Sequence, residues 1–415
     1  MRSVTLVLCG SGGRLLGALP AFDVPVPWWQ EVESVVAAAR DVHGVDVTIL
    51  RLLEVAEPAA GSGGPVTYLA EVADAPAVPL VPWPGPDPLA DEPLRQSYAR
   101  PGGPGADLAW ADTRLAELGT PRTGPATQMR TWNLSSLWQL PTAGGTVWLK
   151  VVPPFFARES EILPLLDPAT VPRVLATGQQ RVLLADITGD DQYDATGAAV
   201  LDMVRMLVDL QIAWLDRTAE LLARGAADWR LTGLGPRIEA VAARYGPALT
   251  RGERADVDLL VAGLDARFAA IDACGLPETL VHGDFHPGNV RGRPGALVLL
   301  DWPEIGVGHA MFDQQAFLGR LGPSDCVEAA RYWAGRWRDV RPGADPDRAA
   351  ELLAPVNELC AALIYSDFLD AIEPSERVFH ADDPARALRA AVARPVSARP
   401  VSARPVSAAV PSRSP

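Results

Sequence analysis

The chain has 415 residues, 48% of them hydrophobic, and a formal net charge of −14. That length leaves room for two or three domains. The excess of acid argues against nucleic acid as a partner and makes a cationic substrate easier to accommodate. Four cysteines (Cys9, Cys274, Cys326, Cys360) include no C-x-x-C pair, which argues against a structural zinc site and suits a reducing cytosol.

The first residues, Met1 to Cys9, carry an apolar run of only six residues before Gly and Ser, too short for the apolar core of a secretory leader. No uninterrupted apolar stretch approaches the roughly 20 residues of a membrane span, so the chain reads as cytoplasmic. Residues 4–9 and 14–20 read as strands, 28–43 as a helix with Val32, Val35, Val36 and Ala39 on one face, and 45–55 and 66–72 as further strands. Gly44 stops the helix. This β-β-α-β-β order predicts a small α+β domain over residues 1–90. Its segment Ala37–Val45 faintly resembles the helix of a Nudix hydrolase. Asp41 and Val42 stand where that helix carries its metal-binding Glu pair, and Ala37 and Ala38 where it opens with Arg-Glu. The resemblance therefore implies a degenerate copy.

Residues 91–122 read as a linker holding one amphipathic helix, 106–118. Three short strands follow at 128–132, 136–140 and 146–152, then a helix near 157–166 and a strand at 182–186 that ends in a hinge. These make a strand-rich lobe over 123–188. From 189 to 391 the chain reads mostly helical: 197–225, 234–246, 253–274, 311–320, 324–338, 346–371 and 382–391. The end, 392–415, repeats Ala-Arg-Pro-Val-Ser three times, and Pro every fifth residue blocks regular helix, so a disordered tail is expected.

The chemistry concentrates in Val281-His-Gly-Asp-Phe-His-Pro-Gly-Asn-Val290 and Leu299-Leu-Asp-Trp302. An acid (Asp284), an amide five residues on (Asn289) and a second acid twelve beyond it (Asp301) flank a short hairpin. Phosphoryl transfer needs a carboxylate to orient the attacking hydroxyl, and an amide and a carboxylate to hold magnesium. One other residue stands out by composition: of 37 basic residues only Lys150 is a lysine. A position that keeps Lys where Arg is otherwise universal needs a compact point charge rather than a planar fork.

His-Gly-Asp-x-His-x-x-Asn followed by Asp resembles the aminoglycoside phosphotransferase and choline kinase-like family, over roughly residues 123–390. Protein kinases share the Asp-to-Asn step of five, with Arg where Gly283 stands here. The resemblance implies an α+β, bilobal protein kinase-like fold behind the small N-terminal domain, with ATP and Mg2+ as cofactors. It implies a small-molecule hydroxyl acceptor, with neither nucleic acid nor membrane as a partner. Asp284 is then the catalytic base, Asn289 and Asp301 the magnesium ligands, and His282, His286 and Asp313 supports of the loop. Lys150 would bind the nucleotide phosphates, aimed by Glu159. Asn133, Ser135 and Ser136 would cap a phosphate where no G-x-G-x-x-G exists, and Ala185 and Ile187 would flank the adenine at the hinge. Asp190, Asp191 and Asp194, with Asp367, Asp370 and Glu373, could form an acidic rim for an amino sugar. The competing reading is a nucleotide-binding pseudokinase or sensor that uses residues 1–90 to engage a partner. The retention of Asp284, Asn289, Asp301 and Lys150 argues against it.

Overall fold

The computed structural model describes residues 1–58 and 61–393. The repeat tail from 394 onward lies outside them. The chain forms two compact units: the first holds Met1–Ser160, Val174–Asp186 and Ala371–Phe379, the second Glu161–Arg173, Ile187–Asp370 and the residues from His380.

In the first unit, strands β1 (Arg2–Gly10), β2 (Leu15–Ala18), β3 (Phe22–Val24), β4 (Thr48–Val55) and β5 (Gly64–Val72) make one sheet, with helix α1 (Glu33–His43) beside it. The order is β2-β1-β5-β4, with β3 also paired to β1. The parallel β1–β5 pair sits at its centre. Alternation in β1 sends Val4, Leu6 and Leu8 into a core shared with Val35 and Ala39 of α1, and Val7 and Cys9 into a second cluster with Leu50 and Leu69. A strand buried on both faces needs both faces apolar, as this one is. The helix expected from 28 begins only at Glu33, because Glu31 bridges to Arg130 in extended conformation. Gly44, at φ 68°, ends it in a left-handed cap.

Helix α2 (Gly103–Glu117) precedes a second sheet of β6 (Thr127–Trp132), β7 (Ser135–Thr142), β8 (Gly145–Val151), β9 (Val174–Gly178) and β10 (Arg181–Ala185), in the order β6-β7-β8-β10-β9. Strand β9 was not expected from the sequence. The two sheets are joined by Gln128, whose side-chain amide accepts from the Ile49 N–H (2.8 Å) and donates to the Ile49 carbonyl (2.7 Å). Residues 371–379 return to this unit. Glu373 lies within 3.3 Å of Arg51 and 3.1 Å of Arg95. Phe379 meets Trp29 and Trp132 edge-on. The expected helix 157–166 is α3 (Arg158–Ile162) followed by a 3-10 turn, Leu163–Leu165, with Pro164 inside it.

The second unit carries β11 (Asp190–Asp191), α4 (Ala198–Ala213), α5 (Thr218–Ala223), β12 (Ala227–Trp229), α6 (Leu231–Tyr245), α7 (Arg251–Ala262) and α8 (Leu264–Asp272). Then come β13 (Glu278–Val281), β14 (Val290–Arg293), β15 (Ala296–Leu299), β16 (Gly306–His309), α9 (Gln314–Leu318), α10 (Pro323–Val340), α11 (Pro346–Ala371) and α12 (Asp383–Val392). The helix expected over 197–225 is broken after Ala213, where Trp214 is buried and Arg217 stacks 4.0 Å over its ring. The one expected over 253–274 is broken at Gly263. Among the described residues α11 alone is long and apolar enough to cross a membrane, and 56% of its most apolar window is buried in the fold. Small sheets β12-β16-β13 and β11-β14-β15 carry the loop between β13 and β14.

Candidate active site

Residues 282–289 span the gap between β13 and β14, and three side chains hold them in place. The Asp313 carboxylate accepts the His282 N–H on Oδ2 (2.9 Å) and the Gly283 N–H on Oδ1 (2.8 Å). Burial pushes the Asp313 carboxyl up to about 6, against the pull of those two N–H donors. The His282 ring lies 2.8 Å through Nε2 from the Leu300 carbonyl and accepts the Asp284 N–H on Nδ1 (3.2 Å). A ring that accepts on Nδ1 and faces a carbonyl on Nε2 is the neutral tautomer protonated at Nε2. Burial agrees, lowering its pKa to about 4. Third, the Asn289 amide donates to the Asp284 backbone carbonyl (2.9 Å) and to its Oδ2 (3.2 Å).

Gly283 explains the departure from the protein-kinase pattern. Its φ is 91°, and a Cβ there would sit 2.8 Å from the Glu304 carbonyl oxygen. A side chain at this position is excluded twice, by conformation and by space.

Asp284 keeps 41% of its side chain exposed, with His286 Nε2 3.5 Å from its Oδ2. Burial alone would raise its pKa. His286 and then His282 outweigh that, and the carboxyl lies below the ordinary range. It is therefore ionised at neutral pH.

Asp301 follows β15 with φ 60°. Only Gln180 shares a positive φ among the described non-glycine residues, and such outliers concentrate at functional sites. The β14–β15 register pairs Val290 with Leu299, and Leu300 N–H donates 2.7 Å to the Asn289 carbonyl. The chain thus brings Asn289 beside the strand end that presents Asp301. Trp302, fully buried, anchors the far side: its indole donates to the Leu299 carbonyl (2.7 Å) and its ring meets His282 edge-on at 4.5 Å.

In the first unit Lys150 lies on β8 between Leu137 and Val182 of the flanking strands. Its Nζ is 2.7 Å from Glu159 Oε2 and 2.9 Å from Oε1, with Glu159 2% exposed. Glu159 is the lysine's partner.

Other expectations are corrected. Asn133 and Ser136 are fully buried and Ser135 nearly so. Ser136 accepts from the Trp138 indole (3.0 Å), Ser135 from that of Trp132 (3.2 Å), and Asn133 donates to the Glu376 carbonyl (3.3 Å). These side chains brace the β6–β7 hairpin and do not present a phosphate cap. At the hinge, Ala185 ends β10, and the Ile187 carbonyl accepts from Arg291 (3.1 Å). Half of the acidic rim is neutralised. Asp370 is gripped by both terminal nitrogens of Arg244 at 2.6 Å, Asp367 lies 3.8 Å from Arg237, and Glu373 is buried with Arg51 and Arg95. Asp190 and Asp191 pair with Gly292 and Arg291 in the β11–β14 ladder, and Asp191 accepts the Tyr193 N–H (2.9 Å).

Sequence reasoning missed Arg320. With Tyr193, Asp194, Thr196, His286 and Gly288 it lines a cavity of about 240 Å³. No motif signals it, because it stands 31 residues after Asn289 in a segment read only as helix end.

A unit with a lysine–glutamate pair on a five-stranded sheet, and a helical unit with a braced Asp–Asn–Asp loop, define a phosphotransferase of the protein kinase-like class. The model of the family described as the phosphotransferase enzyme family matches residues 130–352, more than half of the chain. The chain belongs to that family and is an enzyme that phosphorylates small molecules. Residues 1–129 lie outside the match. No curated protein matches the chain. Among solved structures it is similar to a macrolide 2'-phosphotransferase type I, at 16% identity and a TM-score of 0.49, over 68% of this chain and 97% of that one. A macrolide 2'-phosphotransferase from Brachybacterium faecium gives 17% and 0.47, over 71% and 100%. A choline/ethanolamine kinase family protein from Mesorhizobium loti gives 16% and 0.47, over 70% and 96%.

Proposed function

We propose that the protein transfers the γ-phosphate of ATP, with Mg2+, to a hydroxyl of a small polar molecule. The observation that carries this reading is the grip of Asn289 on Asp284 beside the left-handed Asp301, locked by Asp313 and His282. With its nitrogen on Asp284, Asn289 keeps Oδ1 for a cation, and Asp301 adds a carboxylate. Two oxygen donors suit Mg2+, which retains water and phosphate ligands. Bound by Asn289 and Asp301, the ion would neutralise phosphate charge.

Asp284, ionised, accepts the hydrogen bond of the acceptor hydroxyl and aims its oxygen at phosphorus. The new bond joins that oxygen to the γ-phosphorus. The bond to the β–γ bridging oxygen breaks, and its electron pair leaves with ADP. The hydroxyl proton passes to Asp284 and on to solvent. Lys150, oriented by Glu159, would hold α/β-phosphate oxygens, and Ala185 and Ile187 would flank the base.

The test is magnesium-dependent ADP release by purified protein across a panel of hydroxyl acceptors, with Asp284→Asn as control. Acceptor-stimulated release abolished by the substitution supports the reading. ATP binding without Asp284-dependent turnover would replace it with the sensor reading.

A further inference from the structure

The cavity beside the catalytic loop has a chemistry that narrows the acceptor, and this inference rests on the phosphotransferase reading above. Its walls include His286 and Gly288 of the loop, Tyr193, Asp194 and Thr196 after β11, and Arg320 before α10. His286 ties it to the chemistry, since Nε2 of that ring is 3.5 Å from the Asp284 carboxylate.

Two independent features of the wall point to a ligand. Arg320 is the only arginine or lysine lining the cavity. Among the described residues no carboxylate forms an ion pair with it. Several other arginines of this unit have carboxylate partners: Arg244 pairs with Asp370, Arg237 with Asp367 and Arg336 with Asp209. Then there is His286 itself. It is 2% exposed, and its Nδ1 is buried with no hydrogen-bond partner. That nitrogen faces Gly288, where an added Cβ would come within 3.0 Å of both the imidazole and the Tyr193 ring. Glycine at 288 keeps open the space into which the imidazole presents a polar atom.

We propose that the acceptor is a small hydroxy acid whose carboxylate is held by Arg320. A planar guanidinium matches a carboxylate with two parallel hydrogen bonds. Asp194 and Thr196 offer acceptors for further hydroxyl or amine hydrogens of the same molecule. The cavity, about 240 Å³, is below the range of roughly 300–1,000 Å³ that holds drug-sized ligands. A molecule of a few carbons fills it. The net charge of −14 does not oppose this. Exposed charges farther off than about 8 Å are screened at physiological salt, so the charges that act are those at the cavity, where Arg320 is the group that can hold a carboxylate and Asp194 lines the same wall. The reaction balances as above: hydroxy acid plus ATP gives the phosphate monoester of the acid, ADP and a proton, with the carboxylate unchanged.

The experiment measures ADP release together with the phosphate ester by 31P NMR. The acceptors are D-glycerate, L-serine and L-homoserine, the methyl esters of each, and ethanolamine, choline and kanamycin. Wild type is compared with Arg320→Gln, Arg320→Lys and Asp284→Asn, each checked for a native melting transition. We expect an acid to be the best acceptor and its ester to lose about tenfold or more in kcat/KM, the size of one charge-assisted contact. Arg320→Gln should raise KM for the acid by a similar factor with kcat nearly kept, and Arg320→Lys should fall between. A best acceptor without a carboxylate, or equal KM for the acid in wild type and Arg320→Gln, overturns the hydroxy-acid inference. So does a panel with no stimulation by any acid. In the first two cases an acceptor is still phosphorylated and the phosphotransferase reading stands. In the third, slow Asp284-dependent ATP hydrolysis keeps that reading, and its absence overturns both.

Discussion

Asn289 holds Asp284 from two directions, donating its amide to the backbone carbonyl at 2.9 Å and to Oδ2 at 3.2 Å. The contact fixes the carboxylate rotamer and places the amide oxygen for a cation. Asn289→Asp would put an acceptor where the donor stands. Two carboxylates at that separation cannot both stay ionised, so the pKa of Asp284, now below the ordinary range, would rise. We expect kcat to fall by about 10²–10⁴ and the acid limb of the kcat–pH profile to move upward. A variant with wild-type kcat and an unmoved acid limb would show that the grip has no role.

Lys150 and Glu159 form a pair at 2.7 Å with little exposure on either side. Arginine is longer and forked, and the space between β8 and α3 was filled by a point charge. Lys150→Arg is expected to raise the KM for ATP by about tenfold or more. Glu159→Gln leaves an ammonium with only 12% of its side chain exposed facing a neutral amide, which should cost roughly 3–5 kcal/mol of stability. Nucleotide titration of the first variant and urea unfolding of the second check these. Unchanged values in both would show that the pair serves neither nucleotide binding nor stability.

The geometry of the proposed catalytic loop was legible because its residues are contiguous and their spacing is the one that the proposed reaction needs. Asp284, Asn289 and Asp301 lie within one hairpin, and one turn geometry places them all. Lys150 and Glu159 are nine residues apart on adjacent elements, so local reasoning sufficed again. What failed depends on distance. Ser135 and Ser136 looked like phosphate ligands because their side-chain chemistry allows it. Only the pairing of β7 with β6 and β8 shows that their hydroxyls accept from Trp132 and Trp138. Glu373 looked like a rim residue from its place after a helix. Its partners Arg51 and Arg95 are separated from it by most of the chain, and no period or motif encodes that contact. The break after Ala213 has neither Gly nor Pro to announce it.

The segment from Ala371 to Phe379 carries a second acid, Glu376, 2% exposed beside Glu373. Burial first, and then the charge of Glu373, push its carboxyl up to about 8. A folded pKa above the unfolded value means that its stability contribution is full below the unfolded value, near 4.5, and lost as pH rises through about 8. This contribution falls between about pH 4.5 and 8, and the melting temperature should decline from roughly pH 6.5 to 8, above the range of the buried histidines. Glu376→Gln, which keeps the shape and cannot ionise, should flatten that decline. An equal decline in wild type and variant would mean that other groups cause it.

Below neutrality, groups of opposite sign meet in one pH window. Asp313 is raised from 3.8 to about 6, so it binds more protons folded than unfolded there, and its contribution falls as pH rises. His282 and His309 are lowered by burial from 6.5 to about 4, so the unfolded chain binds more protons and their contribution grows as pH rises. In the wild type the aspartate offsets part of what the two histidines add. Asp313→Asn removes the offset and should steepen the rise of melting temperature between about pH 4 and 6.5. The same variant sets an amide nitrogen against one of the two backbone N–H groups that the carboxylate now receives. An orphaned buried donor costs about 1–3 kcal/mol, so its melting temperature should also lie below wild type throughout. The loop that carries Asp284 loses one of its two ties to Asp313, and kcat should fall while the KM for ATP stays near its wild-type value. A parallel pH curve with unchanged kcat would show that Asp313 is an ordinary helix-start acid with no hold on the loop.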